Sequence, residues 1–344
     1  MSAQPIYLDH AATTPLLPAA RAAMLEGFAI WANPSSPHGA GRRARAALEE
    51  ARARIKAGLD WSGEVVFTSG ASEALALAIS RCVQPLAGVS VTEHEAVLRH
   101  ASAAVRFGVD PLGKVDIAAC ALPGLVAVQA ANNETGVLQP LERVADVVHE
   151  AGGLLLADCA QTAGKMVLPV GADLIAISAH KFGGPIGVGA LLVRDWAMLR
   201  PSGGQERGYR GGTENLPGAM AMAAALEAGS DWLDQAVDLR DLLDDAVSAA
   251  GGESLCCDMA RVPSIAAYRM PGKSARAQLI RFDGIGIAVS AGSACSSGSL
   301  KTSHVLDALG YPHGDEVIRV SLGRETTRAE IERFIAAWLE VAAA

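Results

Sequence analysis

Short apolar runs that alternate with amphipathic helical patterns constrain the fold of this chain most strongly. Six runs have the length of buried strands and end in polar residues or turns: Val65–Thr68, Val89–Thr92, Leu125–Gln129, Leu154–Ala157, Leu174–Ile177 and Gly189–Val193. Helical patterns separate several of them, at Ser72–Val83, Glu95–Phe107 and Leu141–Ala151. This alternation predicts an α/β fold with a doubly wound, mainly parallel sheet.

The length of the chain indicates more than one unit. With 344 residues it exceeds what one small hydrophobic core normally needs, so two domains are expected. We expect residues 15–235 to form a large domain, and residues 1–14 with 236–344 to form a smaller α/β domain. Half of the residues are hydrophobic but only 4% are aromatic, so small aliphatic side chains must fill the interior.

Charge and cysteine spacing exclude several classes of protein. A net charge of −8 argues against a nucleic-acid-binding surface. Residues 1–7 do not resemble an export signal, and no segment is apolar and long enough to span a membrane, so we expect a cytoplasmic protein. The six cysteines have neither metal-site nor disulfide spacing, and Cys82 and Cys120 lie in apolar surroundings typical of a core. His94 and His100 are six residues apart and cannot share a helix face, so no metal site is expected.

Polar side chains follow two of the predicted strands at the point where each strand ends. Ser178, His180 and Lys181 follow one apolar run, and Asp158 and Gln161 follow another. Because the carboxyl ends of parallel strands open on one crevice, we expect these five residues to lie together. A lysine beside a hydroxyl and an imidazole suits a cofactor bound as a Schiff base, and a carboxylate can pair with a pyridinium nitrogen. A lysine on a surface loop is the alternative, but it does not account for all five residues.

Three further strand ends carry small or polar residues. Ala71 and Ser72 begin a helix directly after a strand, where free N–H groups and the helix dipole attract an anion. An ordinary βα turn is the alternative at that position. His94 and Asn133 follow the next two strands. Together these residues predict a ligand site, because a purely structural sheet does not require them.

Two motifs lie far downstream. Cys295 is in the Gly/Ser-rich stretch 289–299, which predicts an accessible, nucleophilic thiol, although an incidental cysteine in a linker is the alternative. Arg319 lies among apolar residues in an alternating run that is typical of a strand. If it points inward it needs a carboxylate or phosphate partner, and a structural salt bridge fits the pattern equally well.

Ten short motifs, in order along nearly the whole chain, resemble those of the cysteine desulfurases of the NifS/IscS-like group. That group belongs to the class V aminotransferase family of fold-type I pyridoxal-phosphate enzymes. The motifs begin at Tyr7, Asn33, Thr68, Thr92, Asn132, Ala157, Ser178, Arg210, Gly292 and Arg319. Each motif alone is weak evidence, but ten in the same order are highly specific.

The resemblance implies a cofactor, pyridoxal 5′-phosphate, joined covalently to Lys181. It assigns the cofactor's phosphate to Ala71, Ser72, Ser178, His180 and, reaching across a homodimer, the partner subunit's Thr213. The resemblance also implies that Asp158 pairs with the pyridine nitrogen and that Gln161, helped by Asn133, contacts the ring oxygen. It implies that His94 stacks on the ring and takes part in proton transfer.

The resemblance also implies the reaction. Arg319, with Asn33, would hold the carboxylate of L-cysteine, and Cys295 would accept its sulfur as a persulfide while L-alanine is released. The sulfur would pass to an acceptor protein, either an Fe–S scaffold or a sulfur carrier. Only 17 residues follow Thr327 and the stretch Gly113–Leu125 is short for the family, so the identity of this acceptor stays open.

Two other functions remain alternatives at this point. A small-amino-acid aminotransferase or a selenocysteine lyase would use the same cofactor, but transamination would not need the thiol of Cys295. A nucleotide-binding module built on Gly183–Gly189 would lack the G-x-G-x-x-G spacing that such a site requires.

Overall fold

The computed structural model describes residues 4–292 and 303–343. The strands are β1 (Ile6–Tyr7), β2 (Glu64–Thr68), β3 (Leu86–Ser90), β4 (Val105–Phe107), β5 (Leu125–Gln129), β6 (Leu154–Asp158), β7 (Leu174–Ser178), β8 (Gly189–Val193), β9 (Glu253–Ser254), β10 (Ile265–Arg269), β11 (Ile287–Ala288) and β12 (Val317–Ser321). The helices are α1 (Pro18–Ile30), α2 (Gly39–Gly58), α3 (Ala71–Arg81), α4 (Glu95–Leu98), α5 (Leu141–Glu150), α6 (Leu216–Glu227), α7 (Trp232–Ala249), α8 (Ala275–Gly284), α9 (His304–Ala308) and α10 (Arg328–Ala343).

A seven-stranded sheet in the order β2-β8-β7-β6-β5-β3-β4 forms the centre of the fold. Strands β7, β6, β5, β3 and β4 pair in parallel, whereas β8 runs antiparallel to both of its neighbours. Alternate residues of each strand enter different apolar layers: Ile175 and Ile177 of β7 pack on one face of the sheet, and Leu174 and Ala176 on the other. The predicted α/β fold with a mainly parallel sheet is confirmed.

The C-terminal part of the chain builds a second apolar core. Strands β12, β10 and β9 form an antiparallel sheet, and β1 pairs in parallel with β11. Behind them pack the aromatic rings of Tyr268, Phe282, Phe334 and Trp338, all buried. Leu8, near the N-terminus, packs into the same cluster. The division of the chain into domains at residues 14 and 235 stays a prediction.

One predicted helix is wrong. The helix expected over Glu95–Phe107 ends at Leu98, and Val105–Phe107 is instead an edge strand that pairs in parallel with β3. The composition of this segment explains the strand. Val105 is β-branched and Phe107 is aromatic, and both types of residue favour strands over helices; a single exposed arginine lies between them.

The strand expected over Val89–Thr92 lies earlier in the chain, at Leu86–Ser90. The hydroxyls of Ser90 and Thr92 are 2.9 Å apart and hydrogen-bonded, and Ser90 Oγ also accepts from the Thr92 backbone N–H at 3.3 Å. Such local side-chain bonds compete with sheet pairing, so the strand gives way to a turn after Ser90. The other predicted strands and helices match within one or two residues.

The stretch Gly113–Leu125 contains no α-helix; a 3₁₀ turn at Ala118–Cys120 precedes β5. Cys82 and Cys120 are buried, in agreement with their apolar sequence surroundings. None of the helices in the described ranges is both long enough and apolar enough to cross a membrane.

Candidate functional site

A cavity of about 310 Å³ opens at the carboxyl ends of the central strands, which is within the range of roughly 300–1,000 Å³ for small-molecule pockets. Its lining includes most of the predicted site residues: Ala71, Ser72, His94, Asn133, Asp158, Gln161, Ser178, His180, Lys181 and Arg319. Asn33 and Thr213 are exposed and lie outside the lining of this cavity. Cys295 lies outside the described residues, so the structure does not place it.

Lys181 enters the cavity from the 3₁₀ turn that follows β7. Its Nζ donates hydrogen bonds to the backbone carbonyls of Ala11, at 2.6 Å, and Ala12, at 2.9 Å. These two acceptors come from the N-terminal segment, some 170 positions away in sequence, and the sequence analysis missed them. The carbonyls fix the amine at one wall of the cavity.

His180 is held beside Lys181 in its neutral form. Its Nδ1 lies 3.2 Å from Thr13 Oγ1, within hydrogen-bonding distance. Burial, with the positive charges of Lys181 and Lys165, lowers the pKa of His180 to about 4. At neutral pH the imidazole therefore carries no charge and can offer one N–H donor and one acceptor.

Asp158 is the last residue of β6 and is buried. One of its oxygens, Oδ1, accepts the Ala160 backbone N–H at 2.9 Å. Burial raises the pKa of Asp158, while the Ala160 N–H and the nearby His94 and Lys181 act in the opposite direction. A cationic hydrogen-bond donor next to this carboxylate would offset the energetic cost of burying its charge and keep it ionised.

His94 caps the short helix α4, because its Nδ1 accepts the Ala96 backbone N–H at 3.1 Å. A neutral His94 ring therefore carries its proton on Nε2. The neighbouring Glu93 is fully buried, and burial raises the pKa of its carboxyl group well above the usual range. Glu93 Oε1 accepts the Gln129 backbone N–H at 2.7 Å, so Glu93 holds in place a residue that lines the cavity. The sequence analysis missed Glu93 and Gln129.

The N-terminus of α3 faces the cavity. Among the described residues, no side chain caps this helix, and its first intrahelical bond runs from the Ala74 N–H to the Gly70 carbonyl at 3.1 Å. The Ser69 N–H is engaged by Glu73 Oε2, whereas the N–H groups of Ala71, Ser72 and Glu73 have no intrahelical acceptor and are available to an anion. Gly70 has φ +153°, and a Cβ on Gly189 of the adjacent β8 would lie 2.7 Å from Gly70 Cα. Only a glycine at position 189 lets the turn approach so closely.

Arg319 lies on β12 and forms the structural salt bridge that its sequence pattern allowed. Its Nη2 pairs with Asp9 Oδ1 at 2.8 Å, and its Nη1 donates to the Asn133 carbonyl at 2.9 Å. Its Nε is buried and has no partner among the described residues. The guanidinium is therefore fixed by the protein at the cavity wall, and the second N–H groups of Nη1 and Nη2 are not used by these two bonds.

The two described flanks of the segment that contains Cys295 attach close to this cavity. On one side, Ser290 exchanges backbone hydrogen bonds with Arg319, at 2.6 and 3.1 Å. On the other, Ser303 Oγ donates to Glu134 Oε2 at 2.6 Å, and His304 Nε2 lies 3.0 Å from the Glu93 carbonyl oxygen. Because it accepts from Ser303, Glu134 is a structural acceptor that the sequence did not predict, and burial raises the pKa of its carboxyl group.

Comparison with known proteins agrees with the resemblance read from the motifs. A cysteine desulfurase of Gluconacetobacter diazotrophicus is 36% identical over 96% of this chain and 91% of its own length. The structure of a NifS-like protein from Rickettsia africae superposes with a TM-score of 0.91 at 28% identity, covering 99% of this chain and all of its own. A structure of SspA in complex with cysteine superposes with a TM-score of 0.80 at 27% identity, covering 94% of this chain and all of its own. Residues 6–334 match the family Aminotransferase class-V, and the chain therefore belongs to that family.

Proposed function

We propose that this protein is a cysteine desulfurase, which removes sulfur from L-cysteine with the help of pyridoxal 5′-phosphate. The observation that carries the proposal is the convergence of an amine, a buried carboxylate and an arginine, from Lys181, Asp158 and Arg319, on one cavity. Class V aminotransferases and cysteine desulfurases depend on pyridoxal phosphate, and many of the curated relatives of this chain are cysteine desulfurases.

The described residues fit this cofactor. The uncapped N-terminus of α3 offers backbone donors for a phosphate, and Asp158 offers a buried anion for a protonated pyridine nitrogen. Gln161 donates through Nε2 to the Ala11 carbonyl at 3.0 Å, while its buried Oε1 has no partner in the described part of the chain. When bound, pyridoxal phosphate supplies an electron sink for the charge that develops at the substrate Cα.

Three side chains would then handle protons. Lys181 would accept the substrate Cα proton at Nζ, which requires an uncharged amine. Asp158 would hold the proton on the pyridine nitrogen through its carboxylate, and so maintain the electron sink. His94 would stack on the ring and exchange a proton through Nε2, because Nδ1 is engaged by the Ala96 N–H.

The sulfur transfer itself would use Cys295. Arg319 would orient the substrate carboxylate with the N–H groups of Nη1 and Nη2 that its bonds to Asn133 and Asp9 do not use. The Cys295 thiolate would attack the substrate sulfur, so that an S–S bond forms as the Cβ–S bond breaks. Cβ would keep the electron pair and take up a proton, giving L-alanine and a persulfide on Cys295. A thiol of an acceptor protein, supplying Fe–S cluster assembly or other thio-cofactors, would then receive the sulfur.

A homodimer would complete the site. Ser35, two residues after Asn33, lines a groove together with Gly204, Gln205 and Glu214, so the loops that carry Asn33 and Thr213 lie side by side. Asn33 and Thr213 lie outside the lining of the cavity of their own chain, and in a homodimer they would reach the cavity of the second copy. The loop of Asn33 directly follows the C-terminal end of α1. The exposed apolar side chains at that helix end would suit burial against another subunit.

The test is incubation of the purified protein with L-cysteine and a reductant. Sulfide and L-alanine should appear in equal amounts, and their formation should depend on added or bound pyridoxal phosphate. An aminotransferase would instead release a keto acid and would need an amino-group acceptor. Keto-acid formation without sulfide would therefore refute the proposed reaction.

A further inference from the structure

An acidic side chain lies at the end of the cavity that would hold the phosphate of the cofactor. Glu73 is the third residue of α3 and belongs to the cavity lining. The described lining contains two carboxylates, Glu73 and Asp158, and Asp158 lies at the end of β6, where it would face the pyridine nitrogen. Of the two, Glu73 is the one that shares a helix N-terminus with the proposed phosphate donors.

Glu73 shapes the turn from which α3 begins. Its Oε2 accepts the Ser69 backbone N–H at 2.5 Å, so the carboxylate closes the turn between these two residues. The helix dipole favours a carboxylate in the first turn of a helix. The same dipole and the free N–H groups attract a phosphate, so a bound phosphate and Glu73 would place two anions at one helix end. Because these anions repel each other, phosphate binding there requires a cation that balances Glu73.

Arg210 supplies this cation. Its Nε donates to Glu73 Oε1 at 2.9 Å, and its Nη2 donates to Glu73 Oε2 at 3.4 Å. Burial raises the pKa of Glu73, but the bonds from Arg210 and from the Ser69 N–H outweigh burial and leave the pKa below its usual value. Glu73 is therefore ionised at neutral pH, and Arg210 balances its charge.

Arg210 acts through Glu73, because it lies outside the described lining of the cavity. It belongs to the Gly-rich loop after β8, in which Gln205 and Arg210 pair as a β-bridge and the Tyr209 ring stacks on Trp196 with centroids 4.2 Å apart. These contacts hold the backbone from which Arg210 reaches α3. The side chains of Glu73 and Arg210 are 32% and 21% exposed, and such partly exposed pairs contribute little to fold stability. Balancing the charge of Glu73 accounts for the pair better than fold stability does.

We propose that Arg210 is a positioning residue for the phosphate end of the cavity: it cancels the charge of Glu73 and keeps that carboxylate on Ser69, so that the N-terminus of α3 remains free to bind a phosphate. The inference rests on the proposed function, in which the cavity binds pyridoxal phosphate. Without Arg210, the ionised Glu73 would repel the phosphate, while the groups that face the pyridine ring would be unchanged. The affinity for the phosphate would then fall, and the affinity for the ring would not.

A comparison of two ligands isolates the contribution of the phosphate. The full-length protein is freed of cofactor and titrated with pyridoxal phosphate or with pyridoxal, which has the same ring without the phosphate, and visible absorbance gives each Kd. The variants are Arg210→Met, which removes the charge, Arg210→Lys, which keeps it, and Arg210→Met with Glu73→Gln, which removes both charges. Arg207→Met is the matched control, because Arg207 lies in the same loop but pairs with Glu64 at 2.8 Å, outside the described cavity lining.

Arg210→Met should weaken the binding of pyridoxal phosphate by about tenfold and that of pyridoxal by less than about twofold. Arg210→Lys and the double variant should each recover most of the lost affinity, because neither leaves the charge of Glu73 unbalanced. Arg207→Met should bind both ligands as the wild type does. Circular dichroism confirms that each variant is folded, and Arg210→Gln replaces Arg210→Met if that protein misfolds.

Unchanged affinity for pyridoxal phosphate in the folded Arg210→Met variant would overturn the inference, and so would an equal loss for both ligands. A double variant as weak as Arg210→Met would also overturn it, since removal of the Glu73 charge would then give no relief. Because no cysteine is added, a protein that binds pyridoxal phosphate but releases no sulfide would refute the proposed reaction without altering this result. A wild-type protein that bound neither ligand would refute both.

Discussion

Asp158 is the side chain on which the electron sink of the proposed reaction depends. Its carboxylate is buried at the end of β6, and one oxygen is already engaged by the Ala160 N–H. A protonated pyridine nitrogen would give this buried anion the cationic partner that burial demands. An asparagine at the same position would fill the space and retain a hydrogen bond, but it could not hold that proton.

We therefore predict that Asp158→Asn still binds pyridoxal phosphate and turns yellow, yet forms alanine roughly 10²–10³-fold more slowly. Visible absorbance measures the bound cofactor, and alanine release measures the rate. Asp116→Asn is the matched control, because Asp116 is exposed and only caps the turn at Ala118. Near-normal alanine formation by Asp158→Asn would refute this role for the carboxylate.

The placement of the cavity-lining residues could be read from the sequence because it depends on local order alone. Asp158 and Lys181 each follow a buried strand, and parallel strands bring such positions to one edge of the sheet. The acceptors of Lys181 could not be read in the same way. They are backbone carbonyls of alanines near the N-terminus, which carry no side-chain signal.

At the scale of elements, helix α2 and the Gly-rich loop after β8 are joined by a buried ion pair. Arg52 of α2 donates to both carboxylate oxygens of Glu206, at 2.9 and 3.1 Å, and stacks over the Phe67 ring at 4.7 Å. Glu206 also accepts the Phe67 backbone N–H at 2.9 Å. Glu206 and Arg207 have φ of +46° and +56°, so these bonds hold the loop in a backbone conformation unusual for residues other than glycine.

We predict that Glu206→Ala lowers the free energy of unfolding by about 3–5 kcal/mol, because it removes the buried bidentate partner of Arg52 and the acceptor of the Phe67 N–H, and leaves only the partly exposed Glu49 to pair with the Arg52 charge. Urea denaturation gives the value. Glu227→Ala is the matched control: it removes the partner of Arg54, also on α2, but that pair is partly exposed and should cost less than about 1 kcal/mol. Equal losses in the two variants would contradict the account of this loop.

Sequence patterns predicted the helices and strands better than the boundaries and contacts between them. The period of apolar residues predicted β7 and β8 within a residue, because a buried strand fixes which side chains must be apolar. It failed at Glu95–Phe107, where a one-turn helix and an edge strand follow each other closely. The Arg52–Glu206 pair joins positions 154 apart, and no local pattern distinguishes it from an exposed charge.

At the scale of the whole molecule, α1 presents an apolar surface at its C-terminal end. Leu25, Phe28 and Trp31 are 61%, 57% and 81% exposed. Single exposed apolar residues are ordinary, but three on one helix end, beside the loops of Asn33 and Thr213, suit a subunit contact.

We predict that the double variant Phe28→Asp with Trp31→Asp is folded but monomeric, and loses most of its activity because no second copy reaches its cofactor. Analytical ultracentrifugation gives the mass in solution. Ile280→Asp, a change on α8 at a position that is 64% exposed, serves as the control and should remain dimeric and active. A fully active monomer would count against the shared site.

The central claim is that sulfur leaves cysteine by attack of one particular thiol, and peptide mass spectrometry after a single addition of L-cysteine tests it most directly. Cys295 should gain one sulfur atom in step with the release of one L-alanine. Cys295→Ser should bind cofactor and cysteine but release almost no alanine, because a hydroxyl is a poor nucleophile toward sulfur. Cys257→Ser, which alters an exposed thiol, should behave as wild type. Normal alanine release by Cys295→Ser, with no sulfur added to any cysteine, would contradict the account.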